Sequence, residues 1–219
     1  MLASPTGSEM AARQRRFLDR VEAGELLGQV LAGLVRPPVV VLGIPRGGVV
    51  VAARVAARLG APLDVVVPRK VGAPGNPELA VGAVADGVQA IDEPAIRRLG
   101  LDRAAVRAEV ARQTVEVARR SAAYRQGLPP LELAGRTAVL VDDGVATGAT
   151  ARAALRAVRA LGPARVVLAA PVVPARLDLS PEADSVVALA TPHPFGAVSG
   201  HYRDFRETTD EEVRRALDR

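Results

Sequence analysis

AVLVDDGVATGAT, from Ala138 to Thr150, carries more information about this chain than any other stretch of it. Ala138 to Val141 read as the end of a buried strand. Two adjacent carboxylates, Asp142 and Asp143, stand where that strand stops. A loop containing Gly144 and Gly148 follows, and then an Ala- and Arg-rich helix predicted over Ala151 to Leu161. Ligands of open α/β sheets bind outside the carboxyl ends of the strands. A helix N-terminus there offers free N–H groups and partial positive charge to an anion. Thr147 and Thr150 add hydroxyl donors, and Gly148 lets the backbone approach a phosphate closely. The acidic pair repels phosphate but suits a polyol or a hydrated divalent cation. The combination fits a phosphorylated sugar. A strand-end Asp pair followed by a Thr helix cap would account for either half alone, but not for the whole run.

The flanking sequence predicts strands and helices in alternation. Arg13 to Leu34 has helical spacing, with Phe17, Val21, Leu27, Val30, Leu31 and Leu34 on one face, and Pro37-Pro38 ends it. Val39 to Leu42 reads as the first core strand, Val49 to Leu59 as the helix behind it, and Leu63 to Val67 as a second strand. The Gly- and Pro-rich segment Val71 to Pro77 reads as a loop. Leu79 to Ala85 then makes a strand, and Asp86-Gly87 turns it into Val88 to Ile91. Glu93 to Arg98 and Asp102 to Arg125 are predicted helices, with Asp102 as the cap of the second. Thr137 to Val141, Arg165 to Ala170 and Ser185 to Ala190 complete the strands. Strands alternating with helices predict a doubly wound, mostly parallel central sheet flanked by helices. The expected organisation is a flexible start over residues 1–12 and one domain over residues 13–219.

The motif of Ala138 to Thr150, an apolar strand, two acidic residues and a turn ending in Thr-Gly-x-Thr, resembles the signature of the type I phosphoribosyltransferases. These enzymes use 5-phosphoribosyl-1-pyrophosphate (PRPP). The resemblance implies that Asp142 and Asp143 hold the ribose hydroxyls, with Mg²⁺ bound there through water, and that Ala146, Thr147, Gly148, Ala149 and Thr150 cradle the 5′-phosphate. Gly43-Ile44-Pro45-Arg46-Gly47-Gly48 lacks the spacing of a dinucleotide or Walker A loop. It resembles the family's pyrophosphate loop, which often contains a non-proline cis peptide, with Arg46 and Gly47 as its contacts. Pro68-Arg69-Lys70-Val71-Gly72 resembles the Arg-Lys pair of orotate and adenine phosphoribosyltransferases. That gives a role on the leaving pyrophosphate to Arg69 and to Lys70, the only lysine in the chain. The catalytic set is then Lys70, Arg69 and Asp143, with Val71 to Glu78 as a lid.

The segment His193 to Phe205, HPFGAVSGHYRDF, holds three of the five aromatic residues and both histidines. An aromatic cluster in so aromatic-poor a chain reads equally as a small satellite core or, by the resemblance, as a hood over about residues 191–210. In the second case Phe195, His201 or Tyr202 would stack on a nucleobase. PRGG, PRKVGAPGNPE and FGAVSGHYRDFRETTDEEV together are similar to a group of bacterial phosphoribosyltransferase-like proteins of unsettled substrate. Ala146 departs from the 6-oxopurine enzymes, which usually have Asp there. Ala73 and Pro74 stand where the adenine pattern has a further lysine. Glu78 and Asp204 are candidate bases that the sequence does not rank.

Composition narrows the alternatives. The chain has 219 residues and no cysteine, so a disulfide framework and a thiol nucleophile are excluded. No apolar stretch is long enough to cross a membrane, and a cytoplasmic protein is expected. The net charge of +5 is spread among interspersed acids, and aromatics make up 2 %, which argues against a nucleic-acid partner. The expected partners are PRPP and a small-molecule acceptor, with a homodimer left open. The alternative is a PRPP- or nucleotide-sensing regulator of the same fold.

Overall fold

Five apolar strands form an all-parallel sheet. They are β1 (Val39–Gly43), β2 (Leu63–Val65), β6 (Thr137–Val141), β7 (Arg165–Val172) and β8 (Ser185–Ala190), and they lie in the order β2-β1-β6-β7-β8. The computed structural model describes residues 16–126 and 132–218; the expected flexible start over residues 1–12 lies outside them. β1 and β6 pair from Val39↔Thr137 to Gly43↔Val141, so the two strands end level. Their following helices, α2 (Gly47–Leu59) and α5 (Ala149–Ala160), go to opposite faces. Val51, Ala52 and Val55 of α2 pack with Val41, Val139 and Val141 on one face. Ala151, Ala154 and Leu155 of α5 pack with Leu42, Leu140 and Leu168 on the other. The sheet is thus doubly wound, and β1/β6 is the point where the winding reverses and a crevice opens. Each fully buried Val or Leu in these layers contributes roughly 1.5–3 kcal/mol of burial free energy.

The segment expected as a loop over Val71 to Pro77 is instead part of an antiparallel hairpin. β3 (Arg69–Ala73) pairs with β4 (Asn76–Ala85), which pairs in turn with β5 (Val88–Ile91). The glycines and prolines that suggest a loop serve the hairpin's irregularities. The register shifts on both sides of Gly72, where a side chain would meet the Pro77 backbone, and Gly75 occupies the tip with φ 79°. The Asp86-Gly87 turn is as expected, with φ 47° and 82° at its two centres. Short α3 (Glu93–Arg98) leads into long α4 (Arg103–Arg125), capped by Asp102. Val106, Val110 and Val117 of α4 cover the hairpin. α5 lies against both the sheet and this hairpin, which its alanines permit.

A buried charge cluster ties the hairpin to the sheet edge. Arg125 donates to Asp64 of β2, to Asp86 at the hairpin turn and to the Val65 carbonyl at 2.6–2.8 Å. Burial pushes the Asp64 carboxyl up and Arg125 pulls it back in part.

Other boundaries differ modestly. α1 is Arg20–Ala32, shorter than expected, because Asp19 caps it by accepting from Val21 and Glu22. Phe17, expected on that helix, instead bridges to Tyr202. β2 stops at Val65, and α5 begins two residues early because Gly148, at φ 80°, turns the chain into it. Beyond β8 the chain forms a 3₁₀ turn (Val198–His201) and α6 (Asp210–Leu217). No helix among the described residues is long and apolar enough to cross a membrane.

Candidate active site

The level ends of β1 and β6 bring the Gly43–Gly48 loop against the acidic pair. Ile44 N–H donates to the Val141 carbonyl at 2.9 Å. A side chain at Gly47 would collide with the Asp143 carboxylate and the Arg20 guanidinium, and one at Gly48 with Val141 O and Asp142 Cα. Backbone contact requires glycine at position 48, a side chain at position 47 would displace the Asp143–Arg20 pair, and the helix N-terminus abuts the carboxylates. The peptide Pro45–Arg46 is cis, the only such non-proline bond among the described residues.

Asp142 Oδ1 accepts from Asp143 N–H at 2.9 Å. Asp143 Oδ2 is ion-paired to Arg20 Nε at 2.7 Å, and the side chains are 16 % and 11 % exposed. Burial, then the neighbouring charge of Asp143, pushes the Asp142 carboxyl well above the usual range. Burial raises Asp143 too, and Arg20 draws it back. The pair thus sits closer to protonation than an exposed carboxylate does, with Arg20 as the counter-charge that restrains it. The sequence offers no signal for Arg20, which lies 123 positions from Asp143. It is held by the Arg206 carbonyl at 2.8 Å and by Phe205, whose ring centroid is 3.9 Å from its Cζ.

The C-terminal segment touches the pair and its counter-charge through Tyr202, Phe205 and Arg206 rather than through a set of free aromatic faces. Tyr202, one of the three stacking candidates under the hood reading, is 1 % exposed. Its hydroxyl donates to the Asp143 carbonyl at 2.5 Å, and its ring packs against Phe17 and Phe205. With Phe17 and Ala23 it makes a small core, so the satellite-core reading holds for Tyr202. Burial pushes its hydroxyl pKa far up. Phe195 and His201 are half-buried and face each other at 5.5 Å, with His201 Nε2 3.0 Å from Phe195 O.

Arg46, just before α2, is ion-paired to Glu207 and lies 4.0 Å from Asp210. Asp210 also accepts from the Tyr124 hydroxyl at 2.9 Å. Ala146, Thr147, Ala149 and Thr150 flank Gly148, which as the cap residue of α5 has no side chain to offer, and the first turn carries no acid. Ala149 N–H makes one long bond there, 3.4 Å to Thr147 Oγ1, and N–H groups of a helix's first turn are the ones an anion can take up.

Arg69 and Lys70 lie elsewhere, on β3. They line a cavity of about 760 Å³ between the hairpin, α4 and the start of α5. Ala149 and Thr150 line the same cavity; Asp142, Asp143 and Arg46 do not. Lys70 Nζ is 2.9 Å from Glu78, on the facing strand. The residues singled out in the sequence therefore fall into two groups, a dyad cleft and a chamber under the hairpin, which share the loop before α5. Gln113, which bonds Arg69, carries no sequence signal of its own.

The sequence matches the phosphoribosyl transferase domain family over residues 15–188. Two Mycobacterium tuberculosis proteins, from strains CDC 1551 and H37Rv, carry the provisional name phosphoribosyl transferase. Each is 50 % identical over 206 residues, 93 % of this chain and 46 % of the relative. The chain thus spans about half the length of these curated relatives. The crystal structure of TT1426 from Thermus thermophilus is 50 % identical and superposes with a TM-score of 0.86, covering 92 % of this chain and 97 % of that one. With the family matched across most of its length and the dyad at the switch point of a doubly wound sheet, the chain belongs to the phosphoribosyl transferase domain family.

Proposed function

We propose that this chain transfers a phosphoribosyl group from PRPP to a nitrogenous acceptor, a nucleobase in the leading form of the reading, and releases pyrophosphate with the help of Mg²⁺. The observation that carries the reading is the carboxylate pair set against the glycine start of α2, with the glycine-capped start of α5 following it in the chain. A ribose diol needs acceptors, and Asp142 and Asp143 provide them. A 5′-phosphate needs N–H donors and hydroxyls, and Ala146, Thr147, Gly148, Ala149 and Thr150 surround such a position. Arg46 and Gly47 would meet the pyrophosphate from one side, and Arg69 and Lys70 from the hairpin.

Breaking the bond from C1 to pyrophosphate leaves cationic character on the sugar and places charge on the leaving group. Arg46, Arg69 and Lys70 would stabilise that charge, and the hairpin over Val71 to Glu78 would exclude water, whose attack is the competing reaction. The donor set suits Mg²⁺ in one respect. Two adjacent carboxylates supply hard oxygens, and this ion keeps several waters and takes others from substrate phosphates. No cluster of three or more metal-ligating side chains occurs among the described residues, so Asp142 and Asp143 would hold it through water. When bound it would supply charge neutralisation for the leaving group. Phe195 and His201 are the residues left to meet the acceptor.

A regulator that binds PRPP or a nucleotide without turnover is the second reading. It is favoured by one observation, that Asp143 and Arg46 are each already ion-paired within the chain. The deciding experiment is ³¹P NMR of PRPP and Mg²⁺ with the protein and a panel of purine, pyrimidine and pyridine bases. Pyrophosphate growing together with a new 5′-monophosphate supports the transferase. PRPP lines that broaden but persist with every base support the regulator. Asp142→Asn/Asp143→Asn is expected to abolish either effect while the protein stays folded; unchanged PRPP affinity would refute the diol assignment.

A further inference from the structure

The chamber under the hairpin contains one arginine whose charge no carboxylate among the described residues takes up. Arg69 Nε donates to Gln113 Oε1 at 2.9 Å, and the structure gives Arg69 no carboxylate partner among those residues. A carboxylate is nevertheless close. Gln113 Nε2 donates to Glu109 Oε1 at 2.8 Å, and Arg112 chelates the same carboxylate at 2.7 and 2.9 Å. The Arg112 and Gln113 hydrogen bonds hold the Glu109 carboxyl below its usual range, and the charge of Arg69 adds to this.

The orientation of Gln113 follows from its neighbours. A guanidinium only donates and an ionised carboxylate only accepts, so the amide oxygen must face Arg69 and the amide nitrogen must face Glu109. Gln113 is 6 % exposed, so water does not compete for either end. The amide therefore stands as a neutral spacer between a guanidinium and a carboxylate that would otherwise pair. It takes up Nε and leaves the terminal Nη fork of Arg69 for a planar or tetrahedral anion. Arg112 is already neutralised by Glu109 and Lys70 is paired with Glu78, which makes Arg69 the free cation of this wall among the described residues.

We propose that Gln113 is a positioning residue, whose buried amide keeps Arg69 from pairing with Glu109 and aims its guanidinium fork at a pyrophosphate-type anion in the chamber. The proposal rests on the reading of Arg69 as a pyrophosphate contact, and its test separates the two. Inorganic pyrophosphate is titrated calorimetrically into the full chain and into the Arg69→Ala, Gln113→Glu and Gln113→Met variants, with thermal melts on each. Gln113→Glu places a carboxylate on Arg69 and is expected to weaken pyrophosphate binding about tenfold, as Arg69→Ala does. Gln113→Met removes the aim but not the charge and is expected to weaken it about threefold.

A merely structural amide would shift the melts and leave pyrophosphate affinity alone. Wild-type affinity in Gln113→Glu, with Arg69→Ala weakened, overturns the role of Gln113 and leaves that of Arg69 intact. Wild-type affinity in Arg69→Ala, or no pyrophosphate binding by the unaltered chain, overturns both. If Gln113→Glu fails to fold, Gln113→Met decides, and unchanged affinity there overturns the proposal.

Discussion

Replacing Arg20 with methionine removes a charge from the acidic pair while keeping an apolar stem against Phe205. In the wild type, Nε lies 2.7 Å from Asp143 Oδ2, with the two side chains 11 % and 16 % exposed. Removing one member of a buried pair typically costs about 3–5 kcal/mol, because the other charge is left desolvated and unpaired. Asp143 keeps some solvent contact, so the lower end applies, and about 3 kcal/mol lowers the melting temperature of a domain this size by roughly 9 °C. The sign of the pH dependence follows from the proton. Asp143 already has a raised pKa, which Arg20 restrains, so the variant raises it further. Below the wild-type folded pKa the carboxyl is protonated in both proteins and Arg20 contributes little. Above the variant's folded pKa it is ionised in both and the full penalty applies. The cost therefore grows as pH rises between those two values. Thermal melts from about pH 4.5 to about pH 8 read this directly, and the same substitution in an Asp143→Asn background is expected to cost less than about 1 kcal/mol. A penalty that is flat with pH, or equally large in that background, refutes the argument that Arg20 acts as counter-charge to the dyad.

Arg125→Met leaves Asp64 and Asp86 buried without this cation, and is expected to destabilise the fold by about 3–5 kcal/mol, read by urea denaturation; a loss under about 1 kcal/mol would show that the hairpin is anchored by apolar packing alone. Tyr202→Phe keeps the ring contacts with Phe17 and Phe205 and loses only the bond to the Asp143 carbonyl. It is expected to cost about 0.5–1.5 kcal/mol in the same assay, and a much larger loss would show that the hydroxyl does more than satisfy that carbonyl.

The strand-loop-helix run of Ala138 to Thr150 is legible because its signals are local. An apolar run, a stop at two carboxylates and a glycine before a helix each bias the backbone within a few residues. Pattern likewise locates β1, β6, β8, α3 and the Asp86-Gly87 turn. It misses the hairpin strands over Arg69 to Asn76, because Gly72 and Gly75 are read as breakers when a bulge and a tight tip need them. It leaves Tyr202 open between core and platform, since the choice between a buried face and an exposed one depends on Phe17, near the other end of the chain.

From the sequence alone follow the doubly wound sheet, the acidic pair at the end of a strand, the glycine loops beside it and the resemblance to the type I phosphoribosyltransferase signature. Only the tertiary structure decides that Arg20 neutralises Asp143, that Glu207 engages Arg46, that Tyr202 is core rather than platform, and that Gln113 stands between Arg69 and Glu109. Local patterns are written in φ/ψ preference and periodic burial, which act over a few residues. Charge partners are chosen by distance and desolvation across elements far apart in the chain, and a sequence of many interspersed arginines and acids does not specify which of them meet.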